Sequence, residues 1–468
     1  MTDLTMTIDG AAVASERYFD VLNPATGNIV AAAPDCTTQQ LDAAMDSSSR
    51  AFITWRADED RRREALRQAA KAIAAAAAEI APLLTAEQGK PLRDSTGEVL
   101  GTSAWFKYYA NLELPREVIQ DDDRVFAEVV RRPIGPVAAI TPWNYPLLLD
   151  AWKIAPALRA GNTVVAKPSP YTPLTTLKLG EILREALPPG VLNVISGRDP
   201  LGAAMTAHRA PRKISFTGSV QSGRRVAAAA VDGFKRVTLE LGGNDAAIVL
   251  ADADVGAIAS KLFWGAFTNN GQVCSAIKRL YVPEPMYDDV VDALAALATT
   301  VRVGNGLDDG VQLGPLNNRA QLDRVSELVD DAVNTGARVA AGGVRMDGDG
   351  YFYAPTIIAD VADGTRLVDE EQFGPALPVI SYRRVEEAVA HANASNFGLS
   401  GSVWSSDTER AGMVAAQLEC GTAWVNTHIA LAPHQPFGGV KWSGLGVENG
   451  PWGLYGFTEL QVIHRAKA

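Results

Sequence analysis

Between Val137 and about Leu250 the chain repeats one pattern: a short, uninterrupted apolar run followed by a helical stretch. The runs are Val137–Ile140, Thr163–Ala166, Leu192–Ile195, Ile214–Phe216 and Val237–Leu239, with Ala246–Leu250 close behind. Helical patterns fill 146–160, 173–187, 200–208 and 221–231. Runs with no polar alternation have no wet face, so they predict an open parallel sheet with helices on both sides. Ligands of such sheets bind beyond the carboxyl ends of the strands, so the residues just after each run are the first place to look for chemistry. A chain of 468 residues exceeds one ordinary core. A second alternation over about 252–445, with strands near 279–282, 338–341, 377–382, 399–404 and 422–426, predicts another α/β unit.

The flanks read differently. Residues 7–35 are short strands and turns. A helix over 37–57 has Thr37 or Thr38 to cap it, and a second runs from Asp58 to about 86 with an Arg/Glu face that water solvates. A helix over 94–114 carries Trp105, Phe106, Tyr108 and Tyr109 as packing residues. Val125–Val130 is extended, and the alternating tail Gly456–Ile463 pairs with it or with another subunit.

The net charge of -11 argues against a nucleic-acid or anionic-membrane partner. No window approaches 18 apolar residues, and the start lacks the basic and apolar regions of a secretory signal. Three cysteines without a paired framework suit a reducing compartment, so a cytoplasmic protein is expected. No Cys/His cluster suggests a metal.

The strand ends carry the motifs. Thr141-Pro142-Trp143-Asn144 follows the first run, and the Asn144 amide suits either an oxyanion or a helix cap. Lys167-Pro168-Ser169 follows the second, offering a cation for ribose or phosphate, or simply a solvated one. Phe216-Thr217-Gly218-Ser219 opens a helix whose unpaired N–H groups suit a pyrophosphate or a tight packing turn. Glu240-Leu241-Gly242-Gly243 holds a carboxylate suited to a general base or an ion pair. Glu371 and Phe373, in an acidic turn, suit a ribose and a flat ring. Cys274, in Gly271-Gln272-Val273-Cys274 at a helix–loop–strand junction, is the candidate nucleophile among the three cysteines.

In this order, and together with Asn23-Pro24-Ala25-Thr26-Gly27 and Pro436-Phe437-Gly438-Gly439 near the two ends, these motifs resemble the NAD(P)-dependent aldehyde dehydrogenase superfamily over nearly the whole chain. The resemblance implies a Rossmann-like NAD(P)-binding domain from 1–114 and 134–243, an α/β catalytic domain from 244–445, and a small β oligomerisation element from 115–133 and 446–468. It implies a homodimer or homotetramer. By similarity Cys274 is the nucleophile, Asn144 with the Cys274 backbone N–H the oxyanion donors, and Glu240 the general base. Cofactor contacts fall to Ile140, Thr141, Trp143, Lys167, Ser169, Gly218, Ser219, Glu240, Leu241, Glu371 and Phe373. Lys153 and Glu448 match a proton relay of some members. The substrate funnel falls to Tyr145, Leu149, Trp152, Val273, Ser275, Ile429 and Leu431, an apolar lining that suits an uncharged aliphatic or aromatic aldehyde.

The implied activity is aldehyde oxidation to the carboxylic acid through a thiohemiacetal and a thioester. One residue departs from the pattern: many relatives carry a glutamate three positions after the motif lysine, where this chain has Pro170. NAD is expected as cofactor, with NADP as the alternative. A CoA-acylating semialdehyde dehydrogenase is a second reading, disfavoured because such relatives usually lack the carboxylate found as Glu240. A non-catalytic structural protein is a third, against which Cys274, Asn144, Glu240 and Glu371 stand together.

Overall fold

The computed structural model describes residues 4–467. Its first sheet has eight strands, and the five parallel ones run in spatial order Leu192–Val194, Thr163–Lys167, Pro136–Ile140, Lys213–Thr217, Arg236–Glu240. Numbered along the chain this is 3-2-1-4-5, so the order reverses between Pro136–Ile140 and Lys213–Thr217. That reversal opens a crevice at the strand ends, where Thr141–Asn144 and Gly218–Ser219 lie. The uninterrupted runs behave as their composition requires: Pro136–Ile140, Thr163–Lys167 and Lys213–Thr217 are buried along their whole length.

The second sheet has seven strands, ordered Arg338–Ala341, Thr356–Ala359, Ala376–Tyr382, Ile277–Pro283, Asp245–Val249, Ser400–Trp404, Thr422–Val425. All neighbours are parallel except the first pair. Only four residues separate Asp245–Val249, in this sheet, from Glu240, which ends its strand in the first. Thr356–Ala359 has no counterpart among the expected strands. A third sheet pairs Val125–Pro133 with Glu117–Asp121 and with Thr458–Ala466, both antiparallel, with Val462 opposite Val129. The tail thus pairs within its own chain. Residues 446–457, grouped on sequence with that tail, instead pack on the first unit, where Leu454 and Phe457 join its core and Gly444–Leu445 pairs with Arg236–Glu240.

One helix differs from expectation. The stretch from Asp58 to about 86 is two helices, Glu59–Ala75 and Ala77–Gln88, bent by 70° at Ala76. Leu66, Ala69 and Ile73 of the first part and Ile80, Ala81 and Leu84 of the second are all buried, so each part turns an apolar stripe to the core. No single helix among the described residues is long and apolar enough to cross a membrane.

Two buried glutamates from this helical layer finish helices of the first unit. Helix Leu174–Leu183 has no side-chain cap of its own, yet Glu87 accepts hydrogen bonds from Leu174 N (2.7 Å) and Thr175 N (2.9 Å), and from the Thr175 hydroxyl. Helix Pro146–Ala160 also lacks a local cap, and Glu98 accepts from Leu147 N (3.0 Å) and Leu148 N (3.3 Å). Caps drawn from 49 or 87 residues away tie the helical layer to the sheet. Glu87→Ala leaves buried donors without acceptors and is expected to lower the unfolding free energy by about 2–4 kcal/mol, with Glu87→Gln losing less, as read from urea denaturation curves.

Candidate active site

The nucleophile candidate owes its position to an unusual turn. Helix Val255–Phe267 ends, and Asn269, Asn270 and Gly271 follow with φ of 50°, 57° and 73°. Three successive left-handed residues are costly for most side chains, and Asn and Gly are the types that adopt that conformation most readily. A side chain at Gly271 would also strike the Gly374 carbonyl. The Asn-Asn-Gly sequence thereby reverses the chain and delivers Cys274 just ahead of strand Ile277–Pro283.

Cys274 opens into a cavity of about 570 Å³ at the crevice of the first sheet. Asn144 and Glu240 reach the same cavity, and so does every residue expected to touch the cofactor, from Ile140 and Lys167 on one side to Glu371 and Phe373 on the other. Asn144 is buried, its Nδ2 donating to the Gln272 carbonyl (3.0 Å) while its Oδ1 has no partner. Its second amide hydrogen is left free. Glu240 is buried, neither of its carboxyl oxygens has a hydrogen-bond partner among the described residues, and burial followed by the nearby Glu448 charge pushes its carboxyl up to about 8. Burial, then Glu240, also pushes the Cys274 thiol well above its ordinary value, while Lys278 opposes the rise. A buried thiol and a buried carboxyl both favour their neutral forms, and with one of them ionised the second negative charge costs still more.

Behind Glu240, Lys153 Nζ donates to Glu448 Oε1 (2.6 Å) and to the Thr217 hydroxyl (2.7 Å), and Glu448 Oε2 is unpaired. Lys153 and Glu448 thus form a buried pair that faces the Glu240 carboxyl.

The far end of the cavity holds Lys167, Ser169, Pro170 and Tyr171. Lys167 is buried, which pulls its ammonium down to about 8, and its only hydrogen bond among the described residues is to the Pro168 carbonyl (3.1 Å). Ser219 caps helix Val220–Val231 by accepting from Ser222 N (3.2 Å), so at rest it fills the capping role. Gly218 adjoins the Phe216 ring so closely that a side chain there would clash. Trp143 and Phe373 meet edge to face at 5.3 Å.

Sequence reasoning missed several lining residues, Ala320 among them. Asp199 begins the helix Asp199–Ala207, and Asn318, Gln321 and Arg324 belong to the start of helix Arg319–Asn334. Gln321 Nε2 donates to the carbonyls of Gln372 (2.7 Å) and Phe373 (2.9 Å), which holds Phe373 at its left-handed φ of 48°. No motif marked 318–324, since an Asn before an amphipathic helix reads only as a cap.

None of the residues expected for the substrate lines that cavity. Leu149, Trp152, Val273 and Ser275 are buried, and Tyr145, Ile429 and Leu431 are half-buried. Trp152 stacks on Trp105 at 5.9 Å and meets Phe437 at 5.5 Å. Lys90 Nζ lies 3.5 Å from the Tyr145 ring centroid and donates to Glu98 and to the Asn144 carbonyl. Ile429 has φ 55°, a strained conformation for a β-branched residue. The preceding His428 bridges this loop to the Ser275 carbonyl (2.8 Å). Burial pulls the His428 imidazole down to about 3, so it stays neutral. No group of three or more His, Cys, Asp or Glu side chains among the described residues is placed to hold a metal.

The model of the aldehyde dehydrogenase family matches residues 12–463. A betaine aldehyde dehydrogenase of Cereibacter sphaeroides is 40% identical, covering 98% of this chain and 96% of its own length. A phenylacetaldehyde dehydrogenase of Pseudomonas fluorescens is also 40% identical, over 96% of this chain and 93% of its own. Among solved structures, an aldehyde dehydrogenase from Bacillus cereus in complex with NAD+ superposes with a TM-score of 0.97 at 34% identity, covering 100% of this chain and 97% of that one. With the family matched along almost its full length, the chain belongs to the aldehyde dehydrogenase family, whose members oxidise aldehydes through a catalytic cysteine.

Proposed function

We propose that this enzyme oxidises an uncharged aliphatic or aromatic aldehyde to its carboxylic acid with NAD, and that Cys274 is the nucleophile. The observation that carries the reading is the Cys274 thiol sharing one cavity with a Glu240 carboxyl whose two oxygens are unpaired. Glu240 takes the thiol proton, and the thiolate attacks the aldehyde carbon. The oxyanion of the resulting thiohemiacetal is received by the free Asn144 amide hydrogen and the Cys274 backbone N–H. NAD, when bound, supplies the hydride acceptor. Once hydride has left, the acyl group remains on Cys274 as a thioester. Glu240 then removes a proton from water, the water attacks the thioester, and acid and thiol are released. Lys153 and Glu448 offer the buried route by which Glu240 exchanges its proton.

The cavity fits a dinucleotide on this chain's own features. Lys167 holds hydrogens in reserve for hydroxyls, the start of helix Val220–Val231 suits a pyrophosphate, and Glu371 can accept from ribose. Pro170 removes the carboxylate that would disfavour a 2'-phosphate, but Asp199 lines the same end and its charge reaches Lys167. A phosphate there would meet that charge, which supports NAD over NADP.

For the substrate, the carboxylate that acts most strongly on Tyr145, Glu98, is spent on Lys90 and two amides, with Asp94 the weaker second. Lys90 also covers one face of the Tyr145 ring, the surface a quaternary ammonium would need. Betaine aldehyde is the second reading, favoured by the relative named for it. We infer, too, that the three-stranded sheet, with Val118, Ile119, Leu460 and Val462 exposed, serves a homodimer or homotetramer.

Purified protein given NAD and an aldehyde should form NADH and free acid without coenzyme A, and Cys274→Ala should remove that signal. Because the Glu240 carboxyl titrates near 8 and acts deprotonated, kcat should rise with pH through about 8. Glu240→Gln should lower kcat by roughly 100-fold and flatten that limb. Full turnover in the cysteine variant would end this reading. A steady-state panel should also rank phenylacetaldehyde and aliphatic aldehydes at least about tenfold above betaine aldehyde in kcat/KM, and NAD at least about tenfold above NADP. Asp199→Ala should narrow the cofactor ratio. The reverse rank in either series would replace the corresponding half of the proposal.

A further inference from the structure

We propose that Lys278 is a positioning residue for the oxidation, holding the backbone of the nucleophile so that the Cys274 N–H faces the reacting oxygen. The proposal rests on Cys274 being the nucleophile. Lys278 lies four residues after it, on strand Ile277–Pro283, with a side chain only 2% exposed. Its Nζ donates to the Val273 carbonyl (2.9 Å) and to the Cys274 carbonyl (2.6 Å), and lies 3.5 Å from Glu371 Oε1. An ammonium has three hydrogens, so these three acceptors account for all of them.

The two carbonyls flank the nucleophile's own peptide groups. In a trans peptide the C=O and the following N–H point to opposite sides of one rigid plane. The Val273 carbonyl accepts from Ala276 N (3.1 Å) on the turn and from Lys278 Nζ, and its hold on the lysine turns the Cys274 N–H away from that side. Among the described residues no acceptor is paired with that N–H. Donors aimed in advance at a developing oxyanion act without reorganisation, and a plane left free to rotate would lose that advantage.

Lys278 also joins this plane to the cofactor side. Glu371 Oε1 accepts from Gly243 N (3.2 Å) as well as facing the ammonium, and Gln372 Nε2 donates to the Lys278 carbonyl (3.1 Å). One buried cation thus ties the segment 273–274 to the segment 371–372. A bland role exists: Lys278 would only keep Glu371 in place for ribose. The two roles differ kinetically, because loss of a ribose contact raises the KM for NAD, whereas a misdirected oxyanion donor lowers kcat.

The test is steady-state kinetics of Lys278→Met and Lys278→Gln, with Cys274→Ala assayed alongside. Methionine keeps the bulk and loses every donor, so kcat should fall roughly 100-fold while the KM for aldehyde moves less than about threefold. Glutamine still donates, though it is neutral and shorter, and its kcat should recover to within roughly tenfold of the unmodified enzyme. A methionine variant with kcat within about threefold of the unmodified enzyme, or a loss confined to the KM for NAD, overturns the proposal. Should the methionine variant fail to fold, Lys278→Leu, which also lacks every donor, takes its place under the same threshold. An inactive Cys274→Ala beside an unaffected Lys278→Met would sink this inference alone, while an active Cys274→Ala would sink the reading beneath it.

Discussion

Everything at this site depends on how closely two sheets are joined. Strand Arg236–Glu240 ends in the first, strand Asp245–Val249 begins in the second, and only Leu241-Gly242-Gly243-Asn244 lies between. Both glycines are needed for space: a side chain at Gly242 would strike the Glu371 carboxylate, and one at Gly243 would press on the Cys274 carbonyl at 2.7 Å. The join therefore brings a carboxylate from one sheet, a thiol from the other and a second carboxylate from a distant turn against one stretch of bare backbone. Larger residues in the link would push the sheets apart and separate the proposed base from the proposed nucleophile.

Burial alone does not single out Glu240. Glu87, Asp150 and Asp245 are equally buried, and desolvation pushes each of them up to about 7. Their hydrogen bonds distinguish them. Glu87 accepts from two amides and a hydroxyl, Asp150 from the hydroxyls of Thr141 (3.0 Å) and Thr176 (2.7 Å), and Asp245 from the amide and hydroxyl of Ser400. Each is spent on holding two elements together. Glu240 has no such partner, so its burial costs stability without an evident structural return, which is the profile of a group kept for a reaction.

Much of this was legible in the sequence, for reasons that differ by element. The apolar runs from Val137 to Leu239 announced a buried parallel sheet because strands covered on both faces leave no polar alternation. Motif residues lay directly after those runs, which is why the cofactor cavity could be assembled residue by residue, all of it now lining one space. What escaped was non-local. Nothing in the sequence marked Glu87 or Glu98, yet they cap helices far along the chain. The alanine-rich stretch read as one helix, because alanine favours helix anywhere and says nothing of where two packing surfaces demand a bend. Asp199 and Arg324 reach the cavity from helix starts that carry no recognisable signature.

The segment 269–279 shows the limit most sharply. Its cysteine was a candidate at a helix–loop–strand junction, but the sequence Ser275-Ala276-Ile277-Lys278 reads as the plain beginning of a strand. A lysine there would normally face water. It turns inward instead because the reversal at Asn269–Gly271 leaves the carbonyls of Val273 and Cys274 outside any sheet ladder: Ala276 N donates to the first (3.1 Å), the second has no backbone donor among the described residues, and a buried carbonyl without a donor is unfavourable by roughly 1–3 kcal/mol. An ammonium answers both acceptors at once, at the cost of its own desolvation, which Glu371 offsets. The same left-handed turn that exposes the thiol therefore creates the demand that draws Lys278 inward. Nucleophile and clamp are consequences of one backbone reversal.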